Sequence, residues 1–110
     1  MPPFIPPSFR CDLVHEDERV RITPCGELDI NTVPLLERRL REALDAGGRR
    51  LVVDLSRLEF MDSTGLTLLV RWGRGAAQDG YEIELVRGAP RVHRLFELTG
   101  LDTQFAFADG

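Results

Sequence analysis

The segment 51–55 constrains the fold of this chain more than any other. It reads Leu-Val-Val-Asp-Leu, a nearly continuous apolar run. A strand with one face in water would alternate apolar and polar residues, so a continuous run predicts a strand covered on both faces, as in a parallel or mixed sheet. Such a sheet needs helices packed against it, and the rest of the sequence supplies them.

Strand and helix patterns alternate along the chain. Short strand-like segments surround a polar turn at 16–19, which predicts a hairpin. Asn31 or Thr32 is expected to cap the first helix, which Gly47 ends. Residues 58–60 are predicted to be a linker. The predicted elements are strands at 9–14 and 20–25, a helix at 33–44, a strand at 51–55, a helix from 63 to about 80, a strand at 81–85, a helix at 90–99 and a strand at 105–107.

Length and composition indicate one folded domain. The chain has 110 residues, of which 43% are hydrophobic and 29% charged, enough apolar material for a single core. Four prolines in the first eight residues predict a flexible arm at 1–8, followed by the domain at 9–110. The element order predicts an α/β fold with a single mixed sheet of about five strands, covered by about three helices.

Charge excludes several classes of function. All 14 basic residues are arginines, so the chain lacks the lysine of a Schiff-base enzyme or a P-loop. The net charge of -4 disfavours a nucleic-acid partner. No apolar run approaches the roughly 18–20 residues of a membrane span, and the N-terminus lacks the charged start of a signal peptide. We therefore expect a cytoplasmic protein.

The cysteines and histidines do not predict a metal or catalytic centre. Cys11 and Cys25 are too few for a disulfide framework, and with two distant histidines they make a poor ligand set. The two thiols could approach each other across the hairpin, but buried, unpaired thiols are expected. His15 and His93 are predicted to be solvated surface residues. Asp54 lies inside the apolar strand. Its carboxylate is either exposed to solvent at the strand end or partly buried, in which case it is a candidate for an interaction.

The start of the second helix is the most informative candidate site. Asp62 and Ser63 stand where unpaired backbone N–H groups and the helix dipole favour oxygen and negative charge. On spacing alone, a plain helix cap is the commoner role for such residues. Ser63 is not in the G-x-S-x-G arrangement of a hydrolase nucleophile, so we do not expect an enzyme.

Three segments in a fixed order carry a resemblance to a known family. The sequence is similar to bacterial anti-sigma factor antagonists, members of the STAS group (sulfate transporter and anti-sigma factor antagonist domains). The similarity extends through Arg94-Leu95-Phe96 and covers about residues 9–107. The three segments are Gly26-Glu27-Leu28-Asp29 with Thr32 and Pro34, Leu51-Val52-Val53-Asp54-Leu55-Ser56, and Phe60-Met61-Asp62-Ser63-Thr64-Gly65-Leu66.

The resemblance implies a STAS-like fold and a partner-switching protein. In that family an anti-sigma factor, a serine kinase of the histidine-kinase-like ATPase fold, phosphorylates the serine that corresponds to Ser63. The unphosphorylated antagonist binds the kinase and frees the sigma factor, and a PP2C-type phosphatase resets it. Asp29, Asp62, Ser63, Thr64 and Gly65 are the implied partner-binding residues, with Thr64 a second-choice acceptor. ATP and its metal would belong to the kinase, so no cofactor or metal is expected here.

Two other readings stay open at this stage. The chain could be a STAS subunit that docks without being phosphorylated, such as an accessory subunit of a lipid-transport ATPase or a scaffold component. A small hydrolase using Ser63 is disfavoured, because no paired base lies near it in sequence. The sequence also departs from the family pattern: Thr67 stands where many relatives carry glycine, and many relatives continue beyond the last strand into a C-terminal helix.

Overall fold

The computed structural model describes residues 8–108, so most of the arm predicted at 1–8 lies outside the described residues. This part of the chain forms six strands, three α-helices and a short 3₁₀ helix. The elements in order are β1 (Arg10–Glu16), β2 (Arg19–Leu28), α1 (Val33–Asp45), β3 (Arg50–Asp54), β4 (Leu58–Met61), α2 (Ser63–Asp79), β5 (Glu82–Val86), α3 (Pro90–Thr99), the 3₁₀ helix (Leu101–Thr103) and β6 (Phe107–Ala108).

The strands form one mixed sheet, which confirms the predicted fold class. Their order is β1-β2-β3-β5-β6, and β4 pairs with β2 outside this path. β1 and β2 form the predicted antiparallel hairpin, and all other pairs are parallel. The hairpin turn is short, with Asp17 at φ 53, a left-handed conformation that tight hairpin turns require.

Strand β2 has two parallel partners on the same edge. Its first half, Val20 to Ile22, pairs with β3, and its second half, Gly26 to Leu28, pairs with β4. The prediction of a linker at 58–60 is therefore wrong. The reason is local: β4 is four residues long and follows a buried-exposed-exposed-buried pattern, whose three-residue spacing does not alternate as a half-buried strand would.

All three helices pack against one face of the sheet. The main apolar cluster unites buried helix residues with Leu51 and Val53 of β3. Val52 points to the opposite face, where its register neighbours are Arg21 and Glu84. The helix residues in the cluster include Leu36, Leu40, Ala43, Leu66, Leu69, Trp72, Val92 and Phe96.

The opposite face of the sheet carries charged side chains in ion pairs. Arg21 bridges Glu16 at 3.0 Å and Asp54 at 2.9 Å, and Arg19 meets Glu84 at 3.4 Å. The prediction that segment 51–55 is covered on both faces is confirmed, since Val52 is only 2% exposed. Helices cover one face, and on the other the neighbours of Val52 are Arg21 and Glu84. Asp54 is the partly buried, paired carboxylate that the sequence left open.

The C-terminal segment packs on a histidine that was expected in solvent. His93 is 5% exposed, stacks on Phe96 at 5.8 Å and meets the edge of Phe107 at 4.9 Å. His93 and Phe96 share a helix face because they are three residues apart. The prediction of a surface position is wrong for His93 and confirmed for His15, which is exposed. The last strand also begins two residues later than predicted, at Phe107.

Both cysteines are buried and free, as expected. In the β1–β2 register Cys11 pairs with Pro24, while Cys25 pairs with Arg10. Paired residues point to the same face and successive residues to opposite faces. The two thiols therefore lie on opposite faces of the hairpin, and they do not approach each other.

Candidate functional site

Two acidic loops meet where β2 and β4 end. Leu28 and Met61 pair in register as the last residues of these parallel strands, so Asp29 and Asp62 follow at the same edge of the sheet. The backbone N–H of Asp62 also donates to the carbonyl of Leu28 at 3.1 Å. The β2–β4 pair thus brings together two motifs that are 33 residues apart in the sequence.

Asp62 caps helix α2. Its backbone is extended, and its Oδ1 accepts hydrogen bonds from the backbone N–H of Thr64 at 2.9 Å and of Gly65 at 3.4 Å. The same oxygen accepts from the hydroxyl of Thr64. These bonds satisfy two of the four backbone donors that a helix leaves unpaired at its start. Asp62 therefore has the common role of a helix cap.

Asp29 holds the turn before helix α1 in a similar way. Its Oδ1 accepts from the backbone N–H of Asn31 at 2.9 Å and of Thr32 at 3.3 Å. Thr32 occupies the N-cap position but makes no side-chain cap bond. Its buried hydroxyl instead donates to the carbonyl of Glu27 at 2.7 Å and accepts from the N–H of Asp29 at 2.9 Å. Thr32 is therefore the N-cap residue, as predicted, but its side chain does not make the expected cap bond.

Ser63 is exposed as the first residue of α2. Its carbonyl accepts from the hydroxyl of Thr67 at 2.8 Å, but within the described ranges its own hydroxyl makes no hydrogen bond. The hydroxyl of Thr64 is half-buried and engaged by Asp62. Of the two neighbouring hydroxyls in the described part of the chain, that of Ser63 is thus the one that is exposed and makes no hydrogen bond.

Gly65 lies buried beneath this surface. A Cβ at this position would lie 2.8 Å from Cγ of Met61 and 2.9 Å from Cδ2 of Leu28. Glycine therefore lets α2 approach the ends of β2 and β4, and Gly65 has no side chain to offer a partner. Thr67 is exposed, so its departure from the glycine of many relatives does not affect this contact.

Comparison with known proteins identifies the family. A family model described as MlaB, STAS domain, matches residues 11–107. The chain belongs to the STAS domain family. This confirms the family that the sequence motifs indicated.

The relatives of this STAS domain include named regulators. It is 38% identical over 94 residues to the anti-sigma-B factor antagonist of Staphylococcus aureus, an alignment that covers 86% of this chain and 87% of the relative. An anti-sigma factor antagonist from Mycobacterium paratuberculosis has a similar structure, with a TM-score of 0.84, 28% identity and coverage of 96% of this chain and 90% of that one.

Structures of antagonists named SpoIIAA represent two states. The unphosphorylated form of the anti-sigma factor antagonist SpoIIAA matches this STAS domain with a TM-score of 0.71 and 28% identity, covering 91% of this chain and 87% of that one. The phosphorylated form, from Bacillus, matches with a TM-score of 0.65 and 27% identity, covering 91% and 90%.

Two large apolar side chains flank the acidic loops of this STAS domain. Ile30, directly after Asp29, is 70% exposed, and Phe60, two residues before Asp62, is 47% exposed. Sequence reasoning missed both as site residues. The sequence carries no clear signal for them, because Ile30 follows Leu28, and Phe60 follows Leu58, at the two-residue spacing of a strand.

Between residues 8 and 108, no three histidine, cysteine or acidic side chains are grouped so as to hold a metal ion. In the same residues, no helix has the length and apolar character required to cross a bilayer.

Proposed function

We propose that this STAS domain is an anti-sigma factor antagonist switched by phosphorylation of Ser63. When Ser63 is unmodified, the domain binds a serine-kinase anti-sigma factor in the cytoplasm and frees a sigma factor. The kinase brings ATP and its metal, and a PP2C-type phosphatase removes the phosphate, so the domain is a regulator and not an enzyme. The observation that carries this proposal is the exposed, unbonded hydroxyl of Ser63 at the start of α2.

The comparisons support the class of protein. The Staphylococcus aureus relative is named for antagonism of an anti-sigma factor, and SpoIIAA has been solved with and without phosphate. Both SpoIIAA forms share the fold of this chain, which supports a modification that leaves the domain folded.

The charges around Ser63 explain why the domain would stay folded when phosphorylated. A phosphate adds about -1.5 to -2 charges. The N-terminus of a long helix stabilises negative charge by about 0.3–2 kcal/mol, while the neighbouring carboxylate of Asp62 opposes it. The two effects partly cancel, and the exposed side chain leaves the phosphate in water.

The same phosphate would act strongly on a complex. A partner that covers Ser63 must remove water from a doubly charged group, which costs several kcal/mol when no opposite charge is supplied. A loss of about 1.4 kcal/mol already weakens binding tenfold. Phosphorylation therefore changes the affinity for the partner and leaves the fold of the domain unchanged.

The direct test is the intact mass of the chain after incubation with ATP, magnesium and each purified serine-kinase anti-sigma factor from the same genome. We expect one added phosphoryl group with the cognate kinase. Ser63→Ala should remain unmodified, whereas the matched variant Thr64→Ala should be modified. A phosphoryl group on Ser63→Ala would contradict the assignment of the acceptor.

A binding measurement tests the direction of the switch. Ser63→Ala should bind the cognate kinase as the unmodified chain does, because it keeps the site neutral. Ser63→Asp should bind at least tenfold more weakly, since it introduces a charge that the interface must desolvate. Equal affinities for the two variants would contradict the proposed mechanism.

The alternative is an unphosphorylated accessory or scaffold subunit, for example of a lipid-transport ATPase. The matching family model is described by MlaB and not by an antagonist. This description is the observation that favours the alternative. The mass experiment separates the two functions. An accessory subunit would acquire no phosphate from any of the kinases and would instead form a stable complex with the purified transport ATPase.

A further inference from the structure

We propose that Ile30 and Phe60 are the apolar anchors through which this domain docks on its serine-kinase anti-sigma factor. The partner surface would then have an apolar centre that receives these side chains and a basic rim. This inference rests on the proposed function and specifies the chemistry of the partner at the same site.

The positions of the exposed apolar residues set these two apart. Four large apolar side chains of the described chain are exposed: Val14 at 51%, Ile30 at 70%, Phe60 at 47% and Leu98 at 71%. A single exposed apolar residue needs no explanation. Two of the four, however, flank the same pair of loops, and apolar side chains surrounded by polar groups are typical of protein interfaces.

The other two residues lie elsewhere. Val14 pairs with Arg21, seven residues before Leu28 along β2, which at about 3.3 Å per residue is roughly 23 Å from the site edge. Leu98 lies near the end of α3. The bond from α3 to β4 is made at the opposite end of this helix, by Arg91 in its first turn. These two residues therefore serve as internal controls for exposed apolar surface.

The backbone of both anchors is fixed. Phe60 pairs with Glu27 in the β2–β4 ladder. From the other side, Nε of Arg91 on α3 donates to the carbonyl of Glu59 at 2.6 Å. Ile30 lies in the turn that the Oδ1 of Asp29 closes. Anchors that are already ordered lose little entropy on binding, and aromatic residues at the centre of an interface contribute most of its affinity.

Acidic groups surround the anchors. Glu27 and Glu59 are exposed beside Phe60, and Asp29 and Asp62 lie at the adjacent strand ends. This excess of negative charge fits a partner with basic side chains at the rim, where charge controls the rate of encounter. The centre is apolar, and Ser63 follows Phe60 by only three residues. In this arrangement Ser63 faces the apolar centre of the partner and not its basic rim, so a phosphate there would lose its water without gaining a charge partner.

The test compares two matched pairs of variants for binding to the purified cognate serine-kinase anti-sigma factor in the presence of ADP. Ile30→Ser is matched by Leu98→Ser, and Phe60→Ser by Val14→Ser, since the members of each pair are almost equally exposed. We expect the dissociation constant to rise at least tenfold for each anchor variant and to change less than twofold for each control. The unfolding midpoint of every variant is measured, and Ile30→Ser, in a turn, keeps the test valid if Phe60→Ser unfolds.

Each result decides one of the two proposals. If the unmodified chain binds a kinase and Ile30→Ser binds as tightly, the anchor inference is overturned while the proposed function stands. Equal losses in anchor and control variants would also overturn it. If the unmodified chain binds none of the kinases from its own genome, the proposed function fails, and the inference fails with it.

Discussion

The close approach of α2 to the strand ends predicts that Gly65→Ala destabilises the domain. The added methyl group would lie 2.8 Å from Cγ of Met61 and 2.9 Å and 3.0 Å from two carbons of Leu28. Contacts this short force the neighbours to move. Both neighbours are buried, Leu28 at 0% and Met61 at 6% exposure, so little free space is available for that movement.

The magnitude follows from two opposing effects. Overpacking a well-packed core costs about 1–3 kcal/mol. Alanine is a better helix former than glycine by about 0.8–1.0 kcal/mol, which offsets part of this cost. We therefore expect a net loss of about 1 kcal/mol in the free energy of unfolding, or a fall of about 4 °C in Tm for a domain of this size.

Helix α2 contains its own control for this experiment. A Cβ on Gly75 would lie 3.5 Å from the hydroxyl of Tyr81 and 3.6 Å from Oδ2 of Asp79, which are ordinary contacts. Gly75→Ala should therefore gain the helix propensity without the clash and raise the free energy of unfolding by up to about 1 kcal/mol. Urea or thermal unfolding followed by circular dichroism measures both variants.

Opposite signs for the two glycine variants are the essential result. If Gly65→Ala stabilised the domain as much as Gly75→Ala, the strand ends would have room for a methyl group. The conclusion that Gly65 sets the position of the start of α2 would then be refuted.

Two further predictions concern ionisable groups. Burial raises the pKa of Cys11 to about 12, so iodoacetamide at pH 8 should leave this thiol unmodified in the folded chain and modify it in urea; rapid modification of the folded chain would contradict its burial. Burial alone would raise the pKa of Asp54, but hydrogen bonds from Ser56 and the ion pair with Arg21 outweigh it and lower the pKa below the usual value. The stability that this carboxylate contributes is present above about pH 4 and is lost as the pH falls through the lowered pKa. The free energy of unfolding should therefore decline less steeply below pH 4 in Asp54→Asn than in the unmodified chain. Identical slopes for the two chains would exclude this contribution.

The sequence was sufficient to predict the architecture because that information is local. Amphipathic helices alternate with short strands, and glycine ends α2 and α3 in the left-handed conformation, at Gly80 and Gly100. Periodicity reports which face of an element is buried, and turn residues report where it ends. These two signals also placed Asp62 and Ser63 at the start of a helix.

The missed features depend on contacts between distant segments. Strand β4 exists because the second half of β2 pairs with it, and nothing inside its four residues indicates that partner. His93 lies between two arginines in sequence, yet the aromatic rings of Phe96 and Phe107 enclose it. Val52 is an apolar residue of the kind that helices usually cover, but its register partners on the two adjacent strands are Arg21 and Glu84. Burial of these residues is a tertiary property.

The pairing of β2 with β4 makes the two acidic loops a single mechanical unit. Because Leu28 and Met61 are in register and the N–H of Asp62 is bonded to the carbonyl of Leu28, a force that displaces one loop also displaces the other. Substitutions in the ladder near Gly26, which touch neither Asp29 nor Ser63, are therefore expected to move the two loops together and to leave their spacing unchanged.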